Sequence, residues 1–155
     1  MMLETASEIR NAAIRLLTRR EHSRLELRQK LAARCDDAQL ELELELELDR
    51  LESDGYLSDA RFAACYVRSK ASQGFGPMRI RADLGRKGIA SELWQQALDE
   101  EPVDWFEQAR DLARRRFPPV ARDDRQAWAK RMRYLTGRGY TPDQARYALE
   151  ADDEP

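Results

Sequence analysis

The sequence predicts an all-α protein in which nine short helices form three tandem three-helix repeats. Ala, Leu, Glu, Arg and Gln dominate the composition, and these residues favour helix over strand. Most candidate helices begin at a capping signal that is followed by apolar residues at helical spacing. The third observation is a turn pattern that recurs at nearly constant spacing.

The composition indicates a protein with much surface for each residue. The chain of 155 residues is long enough for a buried core, and 36% of its residues are charged, which is well above the usual quarter. Cys35 and Cys65 lack metal-binding or redox spacing, and no apolar run approaches the length of a membrane span. We therefore expect a monomeric cytoplasmic protein without a cofactor or a membrane contact.

The first repeat is predicted to occupy residues 1–54. Thr5 with Glu8, and Ser23 with Glu26, have the spacing of capping boxes, in which the hydroxyl accepts an N–H and the carboxylate reaches back. They predict two helices before the first turn.

Residues 41–48 read ELELELEL, an alternation that is the template of a half-buried strand. Glu and Leu are strong helix formers, however, and the run continues without a break, so we predict a helix. Leu42 and Leu46 then lie roughly opposite the buried stripe, either exposed or covered by a neighbour or a second copy of the chain. The predicted buried stripe consists of Leu40, Leu44, Leu48 and Leu51.

The second repeat is predicted to occupy residues 55–101. Gly55 ends the preceding helix, and Ser58 or Asp59 caps the next one. Pro77 suits the first turn of the following helix, because its missing N–H costs nothing there. One face of the fourth helix is predicted to carry Phe62, Cys65, Tyr66 and Ser69.

The third repeat is predicted to occupy residues 102–155. Asp104 opens its first helix, Phe117-Pro118-Pro119 ends it, and Asp123 or Asp124 opens the second helix. Thr141, Pro142 and Gln144 combine a cap, a first-turn proline and a capping-box partner. The acidic residues 152–155 are expected to fray. Four aromatic residues on apolar stripes are expected in the core rather than as base-stacking platforms: Phe62, Tyr66, Trp105 and Trp128.

The recurring turn pattern defines the repeats. Leu31, Leu84 and Leu135 are apolar anchors spaced 53 and 51 residues apart, in the range of helical repeats. Four residues after each anchor stands a turn residue, which is Cys35, Gly88 or Gly139. Because a residue other than glycine is strained in the left-handed conformation, we expect the turn at Cys35 to differ from the other two.

The charge follows the repeats. Counting Lys and Arg as positive and Asp and Glu as negative, the first two helices of each repeat are basic and the third is acidic. This pattern fits either a solvated surface of ion pairs or a continuous basic stripe that binds phosphates or an acidic protein groove. The net charges are +4 over 1–35, −9 over 36–59, +6 over 60–88, −6 over 89–108, +7 over 109–140 and −4 over 141–155.

No catalytic constellation is apparent. The single histidine, His22, stands beside a cap and is expected on the surface, and no nucleophile triad, phosphate loop or paired cysteine motif is present. We therefore expect a binding protein and not an enzyme. The candidate binding residues are Arg24, Arg28, Lys30 and Arg34 in the first repeat, Arg68, Lys70, Arg79, Arg81, Arg86 and Lys87 in the second, and Arg131, Arg133 and Arg138 in the third.

The central stretch carries a family resemblance. In order, it reads GYLSD at 55–59, RFA at 61–63, YVRSK at 66–70, GFGP at 74–77, RI at 79–80 and KGI at 87–89. This ordered set resembles the signature of the RecX regulatory proteins. The length and the three-unit layout of the whole chain also fit that family, whereas Cys35 and the ELELELEL run depart from it.

The resemblance implies a curved, elongated fold of tandem three-helix units. It also implies that the protein binds the RecA recombinase and lies in the deep groove of the RecA–DNA filament. There it would inhibit ATP hydrolysis, coprotease activity and strand exchange, and so restrain homologous recombination and the SOS response. Some weak, sequence-independent affinity for DNA is implied as well.

Two other interpretations remain open. The turn pattern is similar to that of a helix-turn-helix transcriptional regulator, although the helix after the turn, which would read the bases, is acidic in all three repeats. A ubiquitin-associated-like module would fit Arg138-Gly139-Tyr140 and the helix that follows, but only in the third repeat.

Overall fold

The computed structural model of the chain describes residues 1–118 and 124–150, and within them it confirms the all-α prediction. Pro119, Asp123 and the acidic tail lie outside the described residues. The one extended pairing in the described part is an isolated bridge between Leu3 and Cys35. The helices are α1 (Ala6–Arg19), α2 (Arg24–Ala32), α3 (Ala38–Ser53), α4 (Asp59–Ser72), α5 (Pro77–Arg86), α6 (Ser91–Glu100), α7 (Trp105–Arg116), α8 (Arg125–Gly137) and α9 (Pro142–Glu150).

The predicted caps form with one variation. The Ser23 and Glu26 pair closes a complete capping box, and Thr141 and Gln144 exchange the same two hydrogen bonds at 2.9 and 3.1 Å. Thr5 accepts from the N–H of Glu8, but the Glu8 carboxylate accepts from Glu4 and not from Thr5. Local sequence therefore determines where these helices begin.

The ELELELEL run is helical and lies within α3. The predicted leucine stripe is buried, whereas Leu42 and Leu46 are 62% and 55% exposed. Strong helix formers therefore override the alternating pattern, and no neighbouring helix of the described chain covers the two outer leucines.

Two predictions of side-chain burial are wrong. In α4 the buried face carries Val67 and Ala71 beside Phe62, whereas Cys65 and Ser69 are exposed. The helix is rotated by about one residue from the predicted orientation, which brings its smaller side chains against the core. Trp128 of α8 is exposed, because the core cluster that α8 joins involves only its later residues.

The three anchor leucines are fully buried, and the turns after them differ as predicted. Gly88 and Gly139 have positive φ angles, and the N–H after each glycine donates to the carbonyl of Leu84 or Leu135. Cys35 avoids that conformation. Its thiol donates to the Leu31 carbonyl at 3.3 Å, and the same carbonyl also accepts from the N–H of Arg34 at 3.0 Å.

The described chain divides into two compact units, and the division falls within α4, α5 and α6. Unit 1 contains residues 1–65 and 84–94, and unit 2 contains residues 66–83 and the described residues from 95 onward. In unit 1, α1, α2 and α3 pack around a leucine-rich core. In unit 2, α7 and α8 pack on α9 around Ala109, Leu135, Tyr140 and Ala145.

Among the described residues, no helix is both long and apolar enough to cross a membrane.

Candidate functional site

The predicted binding residues of α2 are neutralised within unit 1. Arg24 forms ion pairs with Glu45 at 3.1 Å and Asp49 at 2.7 Å, and it also pairs with Glu52. Arg28 pairs with Glu45 as well. Burial opposes the charge of Arg24, yet the hydrogen bonds that it donates to these carboxylates hold its pKa above the ordinary value. We call these five residues the α2–α3 ion network.

Lys30 lies beside a buried histidine, which corrects the prediction of a surface His22. The His22 side chain is only 1% exposed. Its Nε2 lies 3.0 Å from Lys30 Nζ, and its Nδ1 lies 3.1 Å from the Arg20 carbonyl oxygen. Because Lys30 can only donate, the ring must accept at Nε2 and donate from Nδ1. Burial lowers the pKa of His22, so the neutral ring is favoured.

The end of α5 lies against α2 in unit 1. An added Cβ at Gly88 would come within 2.8 Å of Leu25 Cβ, and Lys87 Nζ lies 4.0 Å from a Glu26 carboxylate oxygen. Although burial acts to raise it, the pKa of Glu26 is lowered to about 2 by the hydrogen bond and charge of Arg20, with Lys87 contributing. Arg81 and Arg86 are exposed on α5.

In unit 2 the turn between α4 and α5 (the 73–77 turn) interlocks with the turn between α8 and α9 (the 138–140 turn). The backbones approach so closely that a Cβ at Gly76 would overlap the Gly139 carbonyl group. Two backbone hydrogen bonds of 2.8 Å join the segments, from Gly76 N to the Arg138 oxygen and from Met78 N to the Gly139 oxygen.

Side chains beneath the turns reinforce this junction. The Tyr140 hydroxyl is buried, donates to the Gly74 carbonyl at 3.0 Å and accepts from Gln108 Nε2 at 2.9 Å. Gln108 also donates to the Phe75 carbonyl at 3.3 Å. Burial raises the pKa of Tyr140, so its hydroxyl keeps the proton that it donates. The junction therefore holds Phe75 in a defined position.

Three predicted binding residues surround Phe75. The Arg138 and Arg79 guanidinium carbons lie 4.0 and 4.4 Å from the ring centroid, and Lys70 Nζ lies 5.4 Å from it. None of the three forms an ion pair with a carboxylate in the described parts of the chain. We call these four residues the Phe75 cluster. It brings together cations from α4, α5 and the end of α8, which lie far apart in the sequence.

The remaining candidates are more dispersed. Arg34 donates to the Met1 carbonyl at 2.9 Å, and the largely exposed Arg68 lies 3.8 Å from Glu101. Arg131 lies 4.9 Å from the Phe117 ring centroid, and Arg133 is exposed. The structure therefore brings three of the candidates into one cluster and leaves these others outside it.

Phe75 was missed in the sequence analysis. The available signal was an aromatic residue between two glycines and a proline, in the segment Gly74-Phe75-Gly76-Pro77. Such a segment places a large ring on a turn whose glycines have no side chain, so the backbone of another segment can approach the turn closely. No group of His, Cys, Asp and Glu side chains suited to a metal ion occurs among the described residues.

The fold is that of a helical protein built from three-helix domains, with a basic cluster around an aromatic residue on one turn. Three family models match the chain: the first three-helix domain of RecX over residues 10–41, the second over 58–98 and the third over 103–149. The chain belongs to the RecX family, which consists of regulatory proteins and not of enzymes.

Relatives and solved structures agree with this assignment. The chain is 42% identical to the regulatory protein RecX of Halorhodospira halophila, covering 96% of this chain and 91% of the relative. It is 41% identical to that of Vibrio campbellii, covering 94% and 92%. The crystal structure of RecX from Lactobacillus salivarius matches with a TM-score of 0.79 at 22% identity and covers 96% of each chain, which supports the fold.

Proposed function

We propose that this protein binds the RecA recombinase and its filament on DNA, and inhibits ATP hydrolysis, coprotease activity and strand exchange. It would thereby restrain recombinational repair and the SOS response in the cytoplasm, acting as a monomer. The observation that carries the proposal is membership of the RecX family over almost the whole chain. We further propose repeat boundaries at 1–54, 55–101 and 102–155.

The proposed contact surface uses the basic residues, and the structure changes their relative weight. No carboxylate among residues 1–118 and 124–150 neutralises the cations of the Phe75 cluster, so they can pair with an anionic partner without breaking an ion pair within these residues. Arg24 and Arg28 would have to break such pairs. We therefore propose that Lys70, Arg79 and Arg138 contribute more to binding than the candidates of α2.

The test is the rate of ATP hydrolysis by RecA filaments on single-stranded DNA. Addition of the protein at a stoichiometric ratio to RecA is expected to lower that rate. Unchanged hydrolysis would contradict the proposal. Tight and sequence-selective binding to duplex DNA in the absence of RecA would instead support a helix-turn-helix regulator.

A further inference from the structure

The Phe75 cluster has a feature that no other group of candidates shares: one uncharged ring holds three cations together. Cations over an aromatic face are attracted by its negative charge density, and this attraction offsets part of their mutual repulsion. Arg138 is also fixed by a hydrogen bond of 2.6 Å from Nη2 to the Gln73 carbonyl. The cations are thus held in place before any ligand arrives.

We propose that the Phe75 cluster binds the phosphodiester backbone of single-stranded DNA, and that Phe75 is the positioning residue that gathers its cations. The inference deepens the proposed function by naming the ligand of this surface. A nucleic-acid strand presents one negative charge per nucleotide, which suits three cations gathered around one ring. The planar guanidinium group of arginine can also donate two parallel hydrogen bonds to the oxygens of one phosphate.

The unsatisfied polar groups of the cluster agree with this ligand. Nε of Arg138 is buried and has no hydrogen-bond acceptor among the described residues. A buried donor without an acceptor is unfavourable, and a phosphate oxygen would supply one once the Arg138 side chain turns outward on binding. Arg79 and Lys70 make no hydrogen bond or ion pair in the described chain, so all of their side-chain donors remain available to a ligand.

The position of the arginines determines what the cluster can recognise. Guanidinium carbons within 4.4 Å of the centroid lie over the faces of the ring rather than at its edge. A nucleobase could stack on Phe75 only by displacing one of them. The cluster should therefore contact phosphates and not bases, and binding should be independent of sequence.

The experiment measures binding of the full chain to a fluorescein-labelled oligo(dT) strand of about 16 nucleotides, over a series of salt concentrations. Lys70→Gln and Arg79→Gln remove one cation each without removing a hydrogen bond of the turn junction. We expect each to weaken binding about three- to tenfold and to reduce the slope of log K against log salt by about 0.7. Arg15→Gln removes an equal charge at an exposed residue of α1 and should change affinity less than about twofold.

Phe75→Leu tests positioning, because it keeps an apolar side chain and all three charges. Weaker binding by Phe75→Leu, with an unchanged circular dichroism spectrum, supports the positioning role. Binding with the affinity and salt slope of the wild type would overturn it.

An abasic strand of equal length tests which part of the DNA is bound. The variants should lose affinity by the same factor on the abasic and the base-containing strand. A loss confined to the base-containing strand would show that bases stack on the cluster and would overturn the proposal.

Binding to DNA and binding to RecA filaments are measured separately, so the two proposals can fail independently. If the variants bind DNA like the wild type but bind RecA filaments more weakly, the cluster recognises a protein surface and the phosphodiester proposal is wrong. If the wild type binds no DNA, the phosphodiester proposal is also wrong. The proposed inhibition of RecA can still hold in that case, because the rate of ATP hydrolysis by RecA filaments is measured in a separate assay.

Discussion

The α2–α3 ion network and the Phe75 cluster both hold predicted binding residues, but they stabilise their cations differently. In the network, carboxylates of α3 surround Arg24 and Arg28. In the cluster, an aromatic ring and a backbone carbonyl hold the cations, and no carboxylate of the described chain pairs with them. The charge of the network is satisfied internally, and that of the cluster is available to a ligand.

This difference shows that net charge along the sequence does not identify a binding surface. The basic segments 1–35 and 109–140, which contain α2 and α8, carry net charges of +4 and +7. The acidic helix that follows α2 folds back onto it, whereas the end of α8 meets a turn that contains an aromatic ring. The partner that tertiary packing supplies decides whether a basic residue stabilises the fold or remains available for binding.

The largest expected effect is obtained by separating the two turns of unit 2. Gly76→Ala would push the new Cβ into the Gly139 backbone and lower the free energy of unfolding by about 2–3 kcal/mol. It should also disperse the Phe75 cluster and weaken filament binding. Thermal unfolding followed by circular dichroism measures the first effect.

Gly85→Ala is the matched control within α5. No atom lies within 4 Å of a Cβ added there, and alanine is the better helix former, so stability should rise by roughly 0.5–1 kcal/mol. Equal effects of the two substitutions would contradict the interlocked geometry.

A smaller effect separates the network from the cluster. Arg24→Gln leaves Asp49 and Glu52 without this cation and Glu45 paired only with Arg28, so it should lower the free energy of unfolding by about 1 kcal/mol and change filament affinity less than Lys70→Gln does. Lys70→Gln should do the reverse, because its cation–π contacts contribute only about 0.5 kcal/mol to stability. Chemical denaturation and filament binding of the two variants test this contrast, which fails if both lose affinity equally.

The smallest effect is a pH dependence confined to unit 1. His22 has a pKa below its ordinary value of 6.5 because it is buried, so the unfolded chain takes up a proton at higher pH than the folded chain does. Stability should therefore fall as the pH drops from 6.5 towards the folded pKa.

His22→Gln should flatten that part of the curve of unfolding free energy against pH. Glu26, with its pKa of about 2, gives a separate loss below pH 4.5 that the variant should retain. An identical slope between pH 6.5 and 5 in the variant would show that His22 is not the titrating group.

Most of the helical organisation was predictable, because its signals are local. The capping boxes at Ser23 and Thr141 and the glycine turns at Gly88 and Gly139 each involve residues within a few positions of one another. The same reasoning anticipated that Cys35 would need a different turn. Burial was less predictable: the rotation of α4, the exposure of Trp128 and the burial of His22 each depend on what other helices cover.

The sequence by itself determined the helices, their caps, the threefold repetition and the list of basic candidates, since each follows from spacing along one segment. Only the tertiary structure decided that Arg24 and Arg28 face carboxylates while Lys70, Arg79 and Arg138 meet at Phe75. The physical reason is that an interaction between distant segments depends on packing, which brings Gly76 and Gly139 into backbone contact and thereby assembles the Phe75 cluster.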